Sequence, residues 1–177
     1  MNETSASPLQ EICSQLAGHR LPRWAELPDL ELYMDQVLSL IGRYLRDYPG
    51  FDEKGLTASM VNNYVKMGAL PPPEKKRYTR EHLAKLLVIC ILKASLPISA
   101  IQRLWEDGLQ HQPEDALYDD FCRMFQQTNT AAAQIHERAQ ELAGSSVCQA
   151  ALLAQAEQAL ALRLYTALFT APEPPKA

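Results

Sequence analysis

Residues 57–92 read TASMVNNYVKMGALPPPEKKRYTREHLAKLLVICIL. The first part predicts a short helix over about 58–66, because Thr57 is a favourable N-cap and Gly68 a favourable stop. Three prolines follow at 71–73 and mark a turn. The stretch therefore divides into a short helix, a proline-rich turn with a short polar connector, and a second helical segment.

The second helical segment is apolar on nearly every side. Thr79 caps a predicted helix over 80–94, in which Leu, Ile, Val and Ala residues surround the axis. A surface helix would keep one polar face, whereas a helix that is apolar all round is typical of a protein interior. We therefore expect this helix to be the buried centre of the fold.

The rest of the chain also follows helical patterns, with no convincing β-alternation. Further helices are predicted within 1–19 and over about 28–47, 99–106 and 114–127. Thirteen alanines between 131 and 171 indicate a helical hairpin broken near 144–146, with a second arm near 147–169. The fold class is therefore all-α, and the expected divisions are an N-terminal helix (1–19), a central domain (20–110), a C-terminal Ala-rich helical region (113–170) and a disordered tail (171–177).

Charge is distributed unevenly along the 177 residues. The net charge is −4, yet residues 54–103 contain nine basic and two acidic side chains, and the remainder contains eight basic and nineteen acidic ones. A chain polarised in this way can present a positive face to an anionic partner despite its overall sign.

Enzymatic, metal and membrane functions have little support in the sequence. The four histidines are scattered, the cysteines form no metal-ligand pattern, and no apolar run approaches the ~20 residues that span a bilayer. Glu114-Asp115 and Asp119-Asp120 are interpreted as a solvated face, Cys90 as core, and His82 as partly exposed packing. We expect a cytoplasmic protein with reduced thiols, no cofactor and no enzymatic activity.

The predicted helix 58–66 has two different faces. At about 100° per residue, one side carries small apolar residues, and the other carries Ser59, Asn62, Asn63 and Lys66. Such side chains reach base edges and phosphates, and Asn pairs bidentately with adenine. Ordinary solvent-exposed surface has the same composition, so the face alone does not decide between the two interpretations.

A basic cluster follows this helix closely and favours the nucleic-acid interpretation. It consists of Lys75, Lys76, Arg77 and Arg80. A short helix with a polar face, preceded by a longer helix and followed by a basic cluster, fits the recognition helix of a helix-turn-helix.

The run from Leu56 to Leu70, the three prolines, and Arg77-Tyr78-Thr79 through Leu83 resemble the DNA-binding half of MerR-type regulators. That family has a helix, a Gly-Leu-Leu-Pro turn, a wing, and an Arg-x-Tyr-Thr-x-x-x-Leu motif that opens the next helix. The wing is minimal here, and Asn62-Asn63 stand where that family usually has Arg. The resemblance implies that Tyr64 touches the DNA backbone, although its angular position is equally compatible with burial.

A larger part of the chain, about residues 20–108, resembles a bacterial family called domain of unknown function 1836. Three segments carry this resemblance: Leu21 to Pro28, Leu56 to Leu70, and Lys75 to Leu83. It implies no known activity.

Together these features predict a transcriptional regulator that binds double-stranded DNA and forms a homodimer through its C-terminal helices. The alternative is a protein-interaction or assembly module that uses a helix-turn-helix scaffold without binding DNA. A small-molecule effector, the operator sequence and the sign of regulation stay open.

Overall fold

The computed structural model describes residues 14–46, 48, 51, 55–143, 149 and 152. Within this part of the chain the regular elements are helices, and no strand occurs, which confirms the all-α class. None of the described helices is long and apolar enough to cross a membrane. A 3-10 turn (Trp24–Glu26) precedes α1 (Met34–Leu45), α2 (Ala58–Lys66), α3 (Arg80–Leu92), α4 (Ile98–His111) and α5 (Glu114–Ala143).

Helix α3 is the centre of the core, as its apolar composition predicts. Leu83, Ala84, Leu86 and Leu87 have no solvent exposure, and α3 packs against α1, α4 and α5. Because α3 has no polar side to place in water, the other helices surround it.

Helix α1 begins later than the predicted position near residue 28. The backbone N–H and C=O of Leu32 both bond to Tyr78, at 2.8 Å each, which holds Leu32 extended. The helix starts only at Met34, after the Tyr33 N–H donates to Gln36 Oε1 at 2.8 Å. Leu30, inside the predicted helix, lies before the observed start and is 61% exposed, so the predicted start was wrong.

Two other helices are longer than predicted. Helix α4 continues past Glu106 and through Gly108, which lies against α5: a Cβ there would approach Leu117 Cδ1 to 2.6 Å. Helix α5 continues past residue 127 without a break, to Ala143. The proposed break at 144–146, the disordered tail and most of the predicted arm 147–169 lie outside the described residues. Of the helix predicted within 1–19, residues 14–18 are described and are helical, and residues 1–13 lie outside the described part.

The segment before α1 attaches to the first turns of α5. The Tyr118 hydroxyl donates to the Pro22 carbonyl at 2.9 Å, and the Trp24 N–H donates to Asp119 Oδ1 at 2.7 Å. Leu21, Leu27 and Tyr118 are among the most deeply buried side chains of the described chain. The first turns of α5 therefore share one core with α1 to α4, although the sequence divided the chain near residue 110.

Candidate nucleic-acid interface

Helix α2 is closed at both ends by the residues that predicted it. At its start, Thr57 Oγ1 accepts a hydrogen bond from the Met60 N–H at 3.3 Å. At its end, Gly68 has a φ of 73°, and the next N–H, that of Ala69, donates to the Tyr64 carbonyl at 2.9 Å. A left-handed residue after the last turn is favourable for glycine, which has no Cβ. The predicted bounds 58–66 are confirmed.

The polar face of α2 lies in solvent. Its predicted members are all exposed: Ser59, Asn62, Asn63 and Lys66. Val61 and Tyr64, on the opposite side, are buried. Met67 extends the exposed arc: it is 49% exposed, and its Sδ lies 3.4 Å from Asn63 Nδ2. The sequence had assigned no role to this methionine, because it follows the last predicted turn of the helix.

Tyr64 belongs to the core. Its side chain is 5% exposed, and burial raises the pKa of its hydroxyl. Of the two positions that the sequence left open for this ring, the structure has the buried one. We therefore leave Tyr64 out of the candidate interface.

The connector between the prolines and α3 is a tight hairpin with two lysines at its tip. The Arg77 N–H donates to the Glu74 carbonyl at 2.7 Å and closes a turn around Lys75 and Lys76. Their φ angles are 47° and 64°, the left-handed region that a two-residue I′ hairpin needs at both central positions. Asn-Gly is the usual choice there because other residues are strained. Both lysine side chains are exposed.

The hairpin is joined to the segment before α1 by a short antiparallel contact. Leu32 and Tyr78 form the hydrogen-bonded pair, and both are buried. That register places Tyr33 opposite Arg77 on the other face, because side chains alternate along extended chain. The Arg77 guanidinium lies 4.0 Å from the centre of the Tyr33 ring.

Arg80 is engaged within the protein. It lies 3.5 Å from Asp29 and 5.9 Å from the Trp24 ring centre, and its side chain is only 19% exposed. The basic cluster predicted from sequence therefore divides into two groups. Lys66, Lys75 and Lys76 project into solvent, whereas Arg77 and Arg80 contact the segment before α1.

His82 connects the hairpin to the start of α3. It is buried, which corrects the expectation of partial exposure. Its Nδ1 accepts from the Thr79 N–H at 3.1 Å, and its ring meets Tyr78 edge to face at 5.4 Å. Burial lowers the pKa of His82, so the neutral ring that can accept this bond is favoured.

The described residues contain no group of His, Cys, Asp and Glu side chains that could hold a metal ion. Asp119 accepts the Trp24 N–H, and Asp120 pairs with Arg123, so these two acids have partners in the protein. Cys90 is buried, as predicted, and burial raises the pKa of its thiol to about 11. The absence of a cofactor and of enzymatic activity stays a prediction.

Comparison with known proteins links the chain to a family. Searches of curated proteins and of solved structures returned no match. One family model matches residues 22–121, which run from the segment docked on α5 through α1 to α4 and into α5 itself. The match covers more than half of the chain and agrees with the predicted range of about 20–108 from residue 22 onwards. This chain therefore belongs to the family described as domain of unknown function (DUF1836).

Proposed function

We propose that this protein is a DNA-binding transcriptional regulator that reads the major groove with α2. The observation that carries the proposal is the exposed face of α2, where Ser59, Asn62, Asn63 and Lys66 lie on a helix capped at both ends. A rigidly held helix with short amide and hydroxyl side chains on its outer face is suited to the major groove, which admits one helix.

The chemistry of the face assigns a role to each side chain. Asn62 or Asn63 pairs with adenine through its amide, which has a donor and an acceptor in the required spacing. Lys66, in the last turn of α2, meets a phosphate or guanine. Ser59 lies in the first turn and hydrogen-bonds a base or phosphate.

The hairpin supplies the phosphate contacts beside the groove, as a minimal MerR-like wing. Lys75 follows Lys66 by nine residues, so the two lie at most ~30 Å apart along the chain, within one helical turn of duplex. Lys75 and Lys76 have a strained, left-handed backbone. Strain of this kind is concentrated at functional sites, which supports a functional role for these two lysines.

The C-terminal helices are proposed to pair two copies over a palindromic site. Helix α5 has 30 residues and is therefore about 45 Å long, of which the first part packs in the core. Two-fold symmetry is the common arrangement of helix-turn-helix proteins on DNA. We also propose that the protein is cytoplasmic and that it binds DNA without a cofactor.

Two substitutions with a matched control test the proposal in duplex-binding assays. Lys76→Glu should weaken binding to all sequences about equally, whereas Asn62→Ala should mainly relax sequence preference. Arg123→Glu makes the same charge change on the exposed side of α5 and should leave affinity near that of the unmodified protein. If both interface variants bound a selected operator as the unmodified protein does, the assigned face would be wrong. If the unmodified chain bound a protein partner but no DNA, the interaction-module alternative would be favoured.

A further inference from the structure

We infer that Arg77 and Arg80 are positioning residues, which hold the Lys75–Lys76 tip in place and leave phosphate contact to the three exposed lysines. This inference rests on the proposed function. It assigns different tasks to basic residues that the sequence grouped as one cluster.

The first observation is the cross-strand position of Arg77. The Leu32–Tyr78 pair exchanges both backbone hydrogen bonds, so the neighbouring pair, Tyr33 and Arg77, belongs to the closely spaced, non-hydrogen-bonded type. The guanidinium lies over the tyrosine ring at 4.0 Å, a distance well within the range of cation–π attraction. Cross-strand pairs of this kind stabilise the register of short antiparallel contacts.

The second observation is that few hydrogen bonds of the described chain hold the hairpin in place, besides the packing of the buried Tyr78 against His82. Its closing hydrogen bond joins Arg77 to Glu74, and the two bonds between Leu32 and Tyr78 attach it to the rest of the fold. Both tip residues have left-handed φ angles, which favours opening of the turn. The pair of Arg77 and Tyr33, next to the tip, opposes that opening.

Arg80 performs the equivalent task one turn further along. It is the first residue of α3, three residues after Arg77, and its side chain contacts Asp29 and the Trp24 ring. Both arginine side chains therefore contact the same segment, residues 24–33. In contrast, Lys75 and Lys76 are exposed and have no partner among the ion pairs and ring contacts of the described chain.

The salt dependence of duplex binding distinguishes a positioning residue from a phosphate contact. Each lost phosphate contact reduces the slope of log K against log salt by about 0.9. Lys75→Met and Lys76→Met should each reduce the slope by that amount for each protomer of the bound dimer. Arg77→Met should leave the slope unchanged while it weakens affinity up to about fivefold, the factor of an exposed cation–π pair.

A mutant cycle with Tyr33→Leu completes the test. Each single variant, Tyr33→Leu or Arg77→Met, and the double variant should weaken duplex binding to a similar extent, because each of them breaks the same pair. The decrease in melting temperature should also be non-additive, so that the double variant loses little more than either single variant. A slope that falls with Arg77→Met, or additive effects in both measurements, would overturn the positioning role. If the unmodified chain bound no duplex at low salt, the proposed function would fail and this inference with it, an outcome that is visible before any variant is made.

Discussion

Replacing the hairpin tip by Asn-Gly should raise the stability of this protein and lower its affinity for DNA. Lys75 and Lys76 both have φ angles in the left-handed region, where a residue with an ordinary side chain costs ~1–2 kcal/mol. Lys75→Asn/Lys76→Gly relieves much of this strain, although the glycine returns ~0.5–1 kcal/mol through the greater entropy of the unfolded chain. We expect a net gain of ~1 kcal/mol, or ~2–4 °C in the melting temperature.

The same variant should lose DNA affinity, because it removes two exposed charges. The slope of log K against log salt should fall by about 1.8 in magnitude for each protomer. Lys75→Met/Lys76→Met is the matched control: it keeps the backbone strain, so it should lose the same affinity with little gain in stability. Urea and thermal unfolding by far-UV circular dichroism, with anisotropy on a labelled duplex, measure both effects. An Asn-Gly variant no more stable than the unmodified protein would refute the left-handed tip.

Three further changes test the local structure through urea unfolding. Thr57→Ala should cost ~1 kcal/mol, because it removes the side chain that caps α2. Tyr118→Phe should cost ~1 kcal/mol, because the buried Pro22 carbonyl then keeps only the weak donor of the Cys122 thiol, at 3.6 Å. Burial lowers the pKa of His82 in the folded state below its usual 6.5, so the unfolded chain binds a proton there more readily than the folded one. The contribution of His82 to the free energy of unfolding should therefore be complete above pH ~6.5 and should decrease as the pH falls below that value. His82→Gln keeps an acceptor at the N3 position of α3 and should flatten this part of the pH dependence, as unfolding at a series of pH values would show.

Local signals in the sequence were sufficient for α2 and α3. Thr57 and Gly68 act on the backbone within a few residues of their own positions, so their effects are independent of the remaining fold. The apolar composition of α3 likewise requires burial whatever surrounds it. The exposed polar face of α2 follows from these two facts, because the side of α2 that contacts the core must be the apolar one.

Contacts between distant residues account for what the sequence did not predict. The start of α1 depends on pairing between Leu32 and Tyr78, which are separated by the whole of α1 and α2. Helix α4 continues through Gly108, where α5 lies too close to leave room for a Cβ, and only the packed structure determines that distance. The separate roles of the arginines depend in the same way on Asp29 and Tyr33.

The hairpin tip was missed for a different reason. Lys-Lys carries none of the turn chemistry of Asn-Gly, so a two-residue I′ turn had no local signal. His82 was misjudged because its partner, the Thr79 backbone, completes a capping arrangement that histidine seldom provides. Both errors concern polar side chains at the junction of the hairpin and α3.

Binding of the unmodified protein to a labelled generic duplex, followed by fluorescence anisotropy across a salt series, tests the central proposal most directly. If Lys66, Lys75 and Lys76 each contact a phosphate, each protomer contributes about −2.7 to the slope of log K against log salt, so the proposed dimer should have a slope of about −5.4. Saturable binding with a slope near this value, reduced by Lys75→Glu/Lys76→Glu and unchanged by Arg123→Glu, is the expected result. No binding at low salt up to tens of micromolar protein would contradict the DNA-binding function and favour a protein-interaction module.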